Sequence, residues 1–134
     1  MYLIIIGAEA EGQRLVDIAS AQNHELTLIA ADEEKARQVL RENSIRVLQG
    51  DITDADILQE AEIERADAVI AATYDDAKNL MAMMLAERSK VDTRISLVNE
   101  PSHRQLFEEL GVKVVSDPAS IVAQGLYQQL PEFE

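Results

Sequence analysis

The residues with the clearest chemical signature are Gly7 and Gly12, which follow an apolar run at 2–6 that suits a buried strand. Their spacing matches the turn G-x-G-x-x-G, in which a strand ends, the backbone approaches a pyrophosphate closely and a helix begins. The middle position of this pattern holds Glu9 instead of glycine. A side chain there fills the space that a pyrophosphate needs, and a carboxylate also repels it. The sequence therefore predicts a nucleotide-binding architecture whose binding site is damaged in the turn that defines it.

Carboxylates elsewhere allow a second interpretation, a phosphoacceptor domain of the receiver type. Asp51 and Thr73 follow predicted strands, and Glu9 and Glu11 could supply the further carboxylates that hold magnesium in such a domain. The chemistry also requires a lysine after the fifth strand, where this chain has Asn-Glu-Pro at 99–101. We keep the receiver as an alternative that a phosphorylation assay with a small phosphodonor would test.

Four aspartates near predicted helix starts could gather a divalent cation. Acidic residues are favoured at helix N-termini in any case, because the helix dipole attracts negative charge. We therefore expect no metal site at these residues, which are Asp54, Asp56, Asp75 and Asp76.

An NAD-dependent oxidoreductase fragment is the enzymatic alternative. Hydride transfer needs a substrate domain and a positioned acid or base, and 134 residues leave room for neither beside the nucleotide fold. The two histidines, His24 and His103, fall in a turn and early in a predicted helix, where we expect surface positions. We predict that the chain is not an enzyme.

Strand-like and helical segments must position these residues, and they alternate along the whole chain. Short apolar runs predict strands at 2–6, 26–30, 46–48, 68–72, 94–98 and 112–115. Asp32 and the pair Thr53 and Asp56 predict the starts of the second and third helices. Helical spacing predicts buried faces that include Leu15, Ile18, Ala19, Ala36, Val39, Leu40, Ile57, Leu58, Ala61, Leu106, Phe107 and Leu110.

Repeated βα units of this length predict an α/β fold with a doubly wound, parallel, six-stranded sheet. The first and fourth strands contain almost no polar residue, as expected for strands that are covered on both faces. The outer strands contain Thr27, Arg46, Ser96 or Lys113. This distribution predicts the strand order 3-2-1-4-5-6, in which ligands bind at the switch point between the first and fourth strands.

Composition limits the classes of partner. Twelve Lys and Arg residues against 25 Asp and Glu residues give a net charge of −13, which repels nucleic-acid backbones and anionic lipid surfaces. The absence of cysteine excludes disulfides and thiolate metal sites. No apolar run approaches the roughly 18 residues of a membrane span, and no signal peptide precedes Tyr2. We expect a cytoplasmic domain that binds no nucleic acid and is not inserted in a membrane.

Four stretches of the chain carry a resemblance to one family. They are IIIGAEAEG at 4–12, GDITD at 50–54, AVIAATYDDAKNL at 68–80 and LFEELGVKVVSDPASIVA at 106–123. In order and spacing they resemble the TrkA N-terminal domain, also called the RCK or KTN domain, of potassium uptake systems and potassium channels. The resemblance covers 1–134 as one Rossmann-like domain.

The resemblance implies a cytosolic regulatory domain that binds an adenine nucleotide such as NAD, NADH, ATP or ADP. Such domains form homodimers and larger rings that act on a membrane potassium channel or transporter subunit, at the inner face of the membrane. Asp51 and Ile52 would lie near the adenine, and Thr73 beside the phosphates or the second ribose. The implied cofactor-binding residues are Gly7, Ala8, Glu9, Gly12, Ala30, Asp32, Asp51, Ile52, Ala72 and Thr73.

Three departures from the family pattern weaken this implied site. Glu9 replaces a glycine, Ala30 replaces the acidic partner of the ribose, and Leu97 replaces a phosphate-binding arginine, with Arg94 expected to face elsewhere. Two unit charges about 4 Å apart at an effective dielectric of about 20 interact by about 4 kcal/mol. That repulsion is about half of the ~8 kcal/mol of a micromolar affinity. We therefore predict weak or absent nucleotide binding, and a structural ring module without nucleotide is the alternative.

The last predicted helix, about 118–130, follows the final strand with Ile121, Val122, Leu126 and Leu130 on one side. This apolar stripe predicts either packing on its own sheet or a crossing onto a second subunit.

Overall fold

The computed structural model describes residues 1–54 and 56–132 as a six-stranded sheet between layers of helices. The strands are β1 (Tyr2–Ile6), β2 (Glu25–Ala30), β3 (Arg46–Gln49), β4 (Ala68–Ala71), β5 (Thr93–Val98) and β6 (Lys113–Ser116). Every neighbouring pair is parallel. The order β3-β2-β1-β4-β5-β6 confirms the predicted topology and its switch point between β1 and β4.

The helices are α1 (Ala10–Ala21), α2 (Glu33–Glu42), α3 (Ile57–Glu60), α4 (Asp76–Arg88), α5 (Arg104–Glu109) and α6 (Pro118–Tyr127). Two short 3₁₀ turns, Ile63–Arg65 and Pro101–His103, precede β4 and α5. The central strand β1 is buried at all five residues, because helices cover it on both faces. Alternating side chains of β1 therefore enter two separate cores.

One core lies under α1 and α2, where Leu3 and Ile5 of β1 pack with Val16 and Val39. The other lies under α3, α4 and α5, where Ile4 of β1 packs with apolar side chains that include Ile57, Met83 and Phe107. The two cores fix β1 from both sides. The turn that follows β1 is therefore held on a rigid support.

Of the two helix starts predicted from capping residues, one is confirmed and one is wrong. Asp32 caps α2 as predicted, because its Oδ1 accepts hydrogen bonds from the amides of Glu34 and Lys35 at 2.9 and 3.1 Å. The predicted capping pair Thr53 and Asp56 is wrong. The Thr53 hydroxyl donates to Asp51 instead, and Asp56, which precedes α3, makes no side-chain capping bond.

Three residues predicted for buried helix faces are exposed: Ile18 in α1, Leu40 in α2 and Leu106 in α5. Each helix contacts the sheet through a narrower stripe than its apolar pattern suggests. In α1 that stripe is formed by Val16 and Ala19, not Ile18.

The last helix leaves the body of the domain. None of the ten residues of α6 is buried, and Gly125 has open space where a side chain would begin. The apolar stripe of α6 therefore has no partner among the described residues, and Leu130 lies beyond the end of the helix at Tyr127.

Candidate functional site

A cleft of about 320 Å³ opens at the carboxyl ends of β1, β2, β3 and β4, on the switch point of the sheet. Parallel strands place their carboxyl ends on one edge, where open α/β sheets bind ligands. The cleft is lined by Ile6, Gly7, Ala8, Glu9, Ile29, Ala31, Asp32, Lys35, Gly50, Asp51, Ile52, Thr73, Tyr74, Asp75 and Lys78.

The two glycines of the first turn are required by its geometry. Gly7 has a φ of +110°, and a side chain there would lie 3.0 Å from the backbone of Ala72. At Gly12 a Cβ atom would lie 1.9 Å from the carbonyl oxygen of Gly7. Gly12 therefore allows α1 to start directly against β1, as the third glycine of the fingerprint does.

The Glu9 carboxylate lies in the cleft and is neutralised by a lysine from the next helix. Its Oε2 atom lies 2.6 Å from Nζ of Lys35, in the first turn of α2. This hydrogen bond raises the pKa of Lys35, so the lysine stays charged. Glu9 precedes the first residue of α1 but its side chain makes no hydrogen bond to the amides of that helix.

A second ion pair lies on the other side of the cleft. Nζ of Lys78, in the first turn of α4, lies 2.7 Å from Oδ2 of Asp51. The Lys78 hydrogen bond, together with those from Thr53, lowers the pKa of Asp51 to about 2. The same contact raises the pKa of Lys78.

Two helix N-termini at the cleft are occupied by carboxylates of the chain itself. Asp32 caps α2, and Asp75 caps α4 by accepting hydrogen bonds from the amides of Ala77 and Lys78 at 2.9 and 3.3 Å. Helix N-termini bind anions because their first amides are unpaired. At α2 and α4 those amides are already hydrogen-bonded.

The rim beside α1 carries Tyr74. The nearby Glu11 carboxylate raises the pKa of Tyr74. Tyr74 is half exposed, at 54%. It therefore stands at the helix end that would face a phosphate.

The end of β4 is fixed by a buried asparagine. Asn79 in α4 is fully buried, and its Oδ1 accepts hydrogen bonds from the Thr73 amide at 3.1 Å and hydroxyl at 2.6 Å. Its Nδ2 donates to the carbonyls of Thr73 and Leu97, both at 3.0 Å. This side chain joins the ends of β4 and β5 and sets the position of Thr73 in the cleft.

An acidic side chain next to this asparagine ties α4 to the loop after β5. Asp76 accepts hydrogen bonds from the amides of Asn99 and Glu100, at 2.8 and 2.9 Å, and from the Asn99 side chain at 2.9 Å. Nδ1 of His103 lies 2.8 Å from Oδ2 of Asp76, the oxygen that also accepts the Glu100 amide. Burial raises the pKa of Asp76, but these donors outweigh burial and the net pKa is lowered.

The charges that line the cleft are four carboxylates and two ammonium groups, which leaves an excess of two negative charges. Both lysines are already paired with carboxylates. Five arginines of the described residues form ion pairs elsewhere, and all five lie outside the cleft lining: Arg37, Arg46, Arg65, Arg94 and Arg104. An incoming anion therefore meets an acidic surface.

Seven of the ten predicted cofactor-binding residues line the cleft: Gly7, Ala8, Glu9, Asp32, Asp51, Ile52 and Thr73. The other three do not. Ala30 is fully buried below the cleft, Gly12 packs on Gly7, and Ala72 lies against the same glycine. Arg94 lies away from the cleft, with its Nη1 donating to the Leu110 carbonyl at 2.7 Å.

Sequence reasoning missed Lys35, Lys78 and Asn79. The two lysines share a signal that could have identified them, because each lies three residues after a capping aspartate. A cation in the first turn of a helix is unfavourable with respect to the helix dipole, so it implies a local acidic partner. Asn79 gave no comparable signal, since an amide inside an apolar helix is recognisable only from its partners.

Two further features of the described part of the chain bear on chemistry. In residues 1–54 and 56–132 there is no cluster of three or more His, Asp or Glu side chains that could hold a metal ion. None of the helices within those residues has both the length and the apolar character needed to span a bilayer.

The family follows from comparison with known proteins. A family model for the TrkA-N domain matches residues 3–118, which is most of the chain. The chain belongs to the TrkA-N domain family. The resemblance seen in the four sequence stretches is thereby confirmed.

Among curated relatives, the Trk system potassium uptake protein TrkA homolog of Pyrococcus abyssi is 32% identical over 143 residues. The alignment covers 100% of this chain and 63% of that protein. The TrkA homolog of Methanothermobacter thermautotrophicus is 31% identical, with 57% of its length covered. The chain therefore spans less than two thirds of the length of these relatives.

Solved structures give the same fold. The NAD(P)-binding domain of an exopolyphosphatase-related protein from Archaeoglobus fulgidus has a TM-score of 0.77 at 29% identity, with 95% of both chains covered. The GsuK channel bound to NAD has a TM-score of 0.71 at 26% identity, covering 85% of this chain and 21% of the channel. A similar fold therefore also occurs as one part of a longer channel chain.

Proposed function

We propose that this chain is the cytosolic regulatory domain of a TrkA-like potassium transport system, and that its adenine-nucleotide site is degenerate. It binds NAD or ATP weakly or not at all, and it is not an enzyme. The observation that carries the proposal is the Glu9–Lys35 ion pair at 2.6 Å, in the turn where a TrkA-N domain receives a diphosphate.

Two physical effects act against a diphosphate at this turn. The Glu9 side chain occupies volume that a glycine leaves free, so the backbone cannot be approached closely. A diphosphate that binds Lys35 must also separate that lysine from Glu9, and the unpaired Glu9 carboxylate then repels the diphosphate. At an effective dielectric of about 20, that repulsion is about 4 kcal/mol for charges about 4 Å apart.

A regulatory role fits the described residues better than the oxidoreductase alternative. The polar side chains of the cleft are engaged in ion pairs and helix caps, which are structural tasks. His103, the histidine nearest the cleft, is directed to Asp76 and lies outside the lining. The names of the curated relatives support potassium transport as the process that is regulated.

We further propose that the domain acts as a homodimer or larger ring through α6. An apolar groove of about 550 Å³ lies over β4, β5 and β6, beside α1, and includes Ile70, Ile95, Leu97 and Val115. The unburied stripe of α6 has the length and apolar character to fill such a groove on a second copy. Pro118, the first residue of α6, lines this groove. Each α6 therefore starts beside the groove of its own subunit, and in the proposed dimer it covers the same groove of the second subunit.

Uptake measurements test the regulatory role. The gene for this chain is expressed in a host that lacks its own TrkA-type subunit but keeps a Trk-type pore protein, and rubidium uptake is followed at limiting potassium. We expect uptake to change relative to the empty vector. A gene that encodes the Gly12→Val variant, in which the turn cannot form, should give the same uptake as the empty vector. Uptake that is identical for all three genes would contradict the proposal.

Calorimetry tests the degenerate site separately. We expect no heat of binding for NAD or ATP up to about 100 μM ligand, since repulsion by Glu9 offsets about half of a micromolar binding energy. Low-micromolar binding of either ligand to the native chain would overturn the degenerate-site proposal and leave the regulatory role standing.

A further inference from the structure

The cleft is divided into two parts of different chemistry. Its floor is apolar and is formed by Ile6, Ile29 and Ile52, each less than 5% exposed, with the small residues Ala31 and Gly50 beside them. Its wall is charged and consists of the ion pairs and capping aspartates. The floor has the character of a surface that accepts a flat aromatic base, because ligand pockets are mostly apolar with a few polar groups.

Most groups of the charged wall that could bind a phosphate already have a partner within the chain. Lys35 is held by Glu9 and Lys78 by Asp51. The amides that begin α2 and α4 are capped by their own aspartates. The start of α1, which lacks a carboxylate cap, has Tyr74 and Glu11 beside it.

The volume of the cleft agrees with this division. At about 320 Å³ it lies at the lower end of the range for sites that enclose a small ligand, roughly 300 to 1,000 Å³. A dinucleotide has two nucleosides and a diphosphate and would extend over the Glu9–Lys35 pair. A single nucleoside can remain on the apolar floor without crossing that pair.

We infer that the cleft is a nucleoside half-site, which binds an uncharged purine nucleoside such as adenosine in preference to any phosphorylated form. The inference rests on the proposed degenerate site and names the ligand class that such a site retains. Glu9 is the residue that determines this specificity, because it holds Lys35 away from a phosphate and leaves four carboxylates against two paired lysines in the cleft. Each added phosphate is repelled by that excess negative charge.

The inference inverts the usual order of affinities. In a site that uses its phosphate contacts, affinity rises from adenosine to AMP, ADP and NAD. Here we expect it to fall along that series, with adenosine at least about tenfold tighter than NAD at low ionic strength, where repulsion is least screened. Added salt weakens the repulsion, so the ratio should shrink in about 0.5 M salt.

Competition calorimetry or ligand-observed NMR with adenosine, AMP, ADP and NAD measures the series on the native chain. The same series is measured on Glu9→Gly, which restores the bare turn, and on Glu9→Gln, which removes the charge and keeps the volume. We expect Glu9→Gly to reverse the order in favour of NAD and Glu9→Gln to flatten it. Glu34→Gln, on the exposed start of α2 and outside the cleft lining, is the charge-matched control and should keep the native order.

The outcomes separate the two proposals. If the native chain binds neither adenosine nor NAD, the half-site is wrong while the degenerate dinucleotide site stands. If NAD binds more tightly than adenosine, the half-site is wrong, and if that binding is also low-micromolar, the degenerate site is wrong as well. Adenosine binding that exceeds NAD binding and is reversed by Glu9→Gly supports both.

Discussion

The cleft at the switch point and the apolar surface of α6 differ in how many of their side chains already have a partner within the chain. In the cleft, both lysines have carboxylate partners and the nearby helix ends of α2 and α4 are capped by aspartates. On α6, large apolar side chains are more than half exposed, among them Ile121, Val122, Leu126 and Tyr127. The cations of the cleft are already paired and its net charge is negative, whereas the last helix has no partner among the described residues.

This difference indicates where a ligand would gain free energy. A nucleotide must break existing ion pairs before it forms its own, so its net gain is small. A second protein surface placed on α6 removes apolar area from water at a gain of roughly 25 cal/mol per Å². The comparison therefore favours assembly over nucleotide binding as the main interaction of this domain, and the following changes test it.

The largest effect is expected at Gly12, where the cleft turn is tightest. Gly12→Ala places a Cβ atom 1.9 Å from the Gly7 carbonyl, so the backbone must move, and we expect a loss of at least about 3 kcal/mol in the free energy of unfolding. Urea denaturation measures it. Gly125→Ala is the matched control: nothing lies within 4 Å of its new methyl group, and a helix-interior alanine should add about 0.5–1 kcal/mol. Equal effects at the two glycines would show that the turn is not as tight as described.

Assembly through α6 should be the next most sensitive property. The double change Ile121→Asp and Leu126→Asp puts carboxylates into the proposed interface and should weaken dimerisation at least about 100-fold, because burying an unpaired charge is costly. Sedimentation or light scattering measures it. Ser120→Asp, which lies about 100° around the helix from Ile121 and about 120° from Leu126, is the control and should leave dimerisation nearly unchanged. A native chain that stays monomeric at high concentration would contradict assembly through this surface.

Asp76 should matter more to stability than any other carboxylate near the cleft. Asp76→Asn keeps the size of the side chain but weakens bonds to three N–H donors and to His103, and we expect a loss of about 2 kcal/mol. Because the folded-state pKa of Asp76 is lowered, its contribution is complete above the unfolded pKa and is lost as pH falls through the folded pKa. The difference in the free energy of unfolding between the native and Asp76→Asn proteins should therefore disappear in acid. A difference that persists in acid would contradict the stabilising role given to the ionised Asp76 carboxylate.

The Asp51–Lys78 pair should contribute least, since both side chains are more than one third exposed. Asp51→Asn should cost less than about 1 kcal/mol at neutral pH after allowance for solvent screening. The pKa of about 2 means that any contribution is lost as pH falls from about 4 towards 2. A double-mutant cycle with Lys78→Gln isolates the pair, and a coupling above about 2 kcal/mol would mean that the cleft is far drier than its exposure indicates.

The sheet order and the turn at Gly7 and Gly12 were predictable from sequence, because the polar residue content of each strand and the spacing of the glycines are local properties. The partners of Glu9 and Asp51 were not. Lys35 lies 26 residues from Glu9 and Lys78 lies 27 from Asp51, so each pair depends on how two βα units are placed side by side. The exposure of Ile18, Leu40 and Leu106 was unpredictable for the same reason, since an apolar pattern does not say how wide a stripe the sheet can cover.

The central claim is that the Glu9–Lys35 pair occupies the place of a diphosphate, and crystals grown with millimolar NAD test it most directly. The account predicts a Glu9 carboxylate still bonded to Lys35 and no diphosphate on the turn between Gly7 and Gly12. A fully occupied dinucleotide across Glu9, with its diphosphate at the start of α1 and Lys35 released, would contradict it.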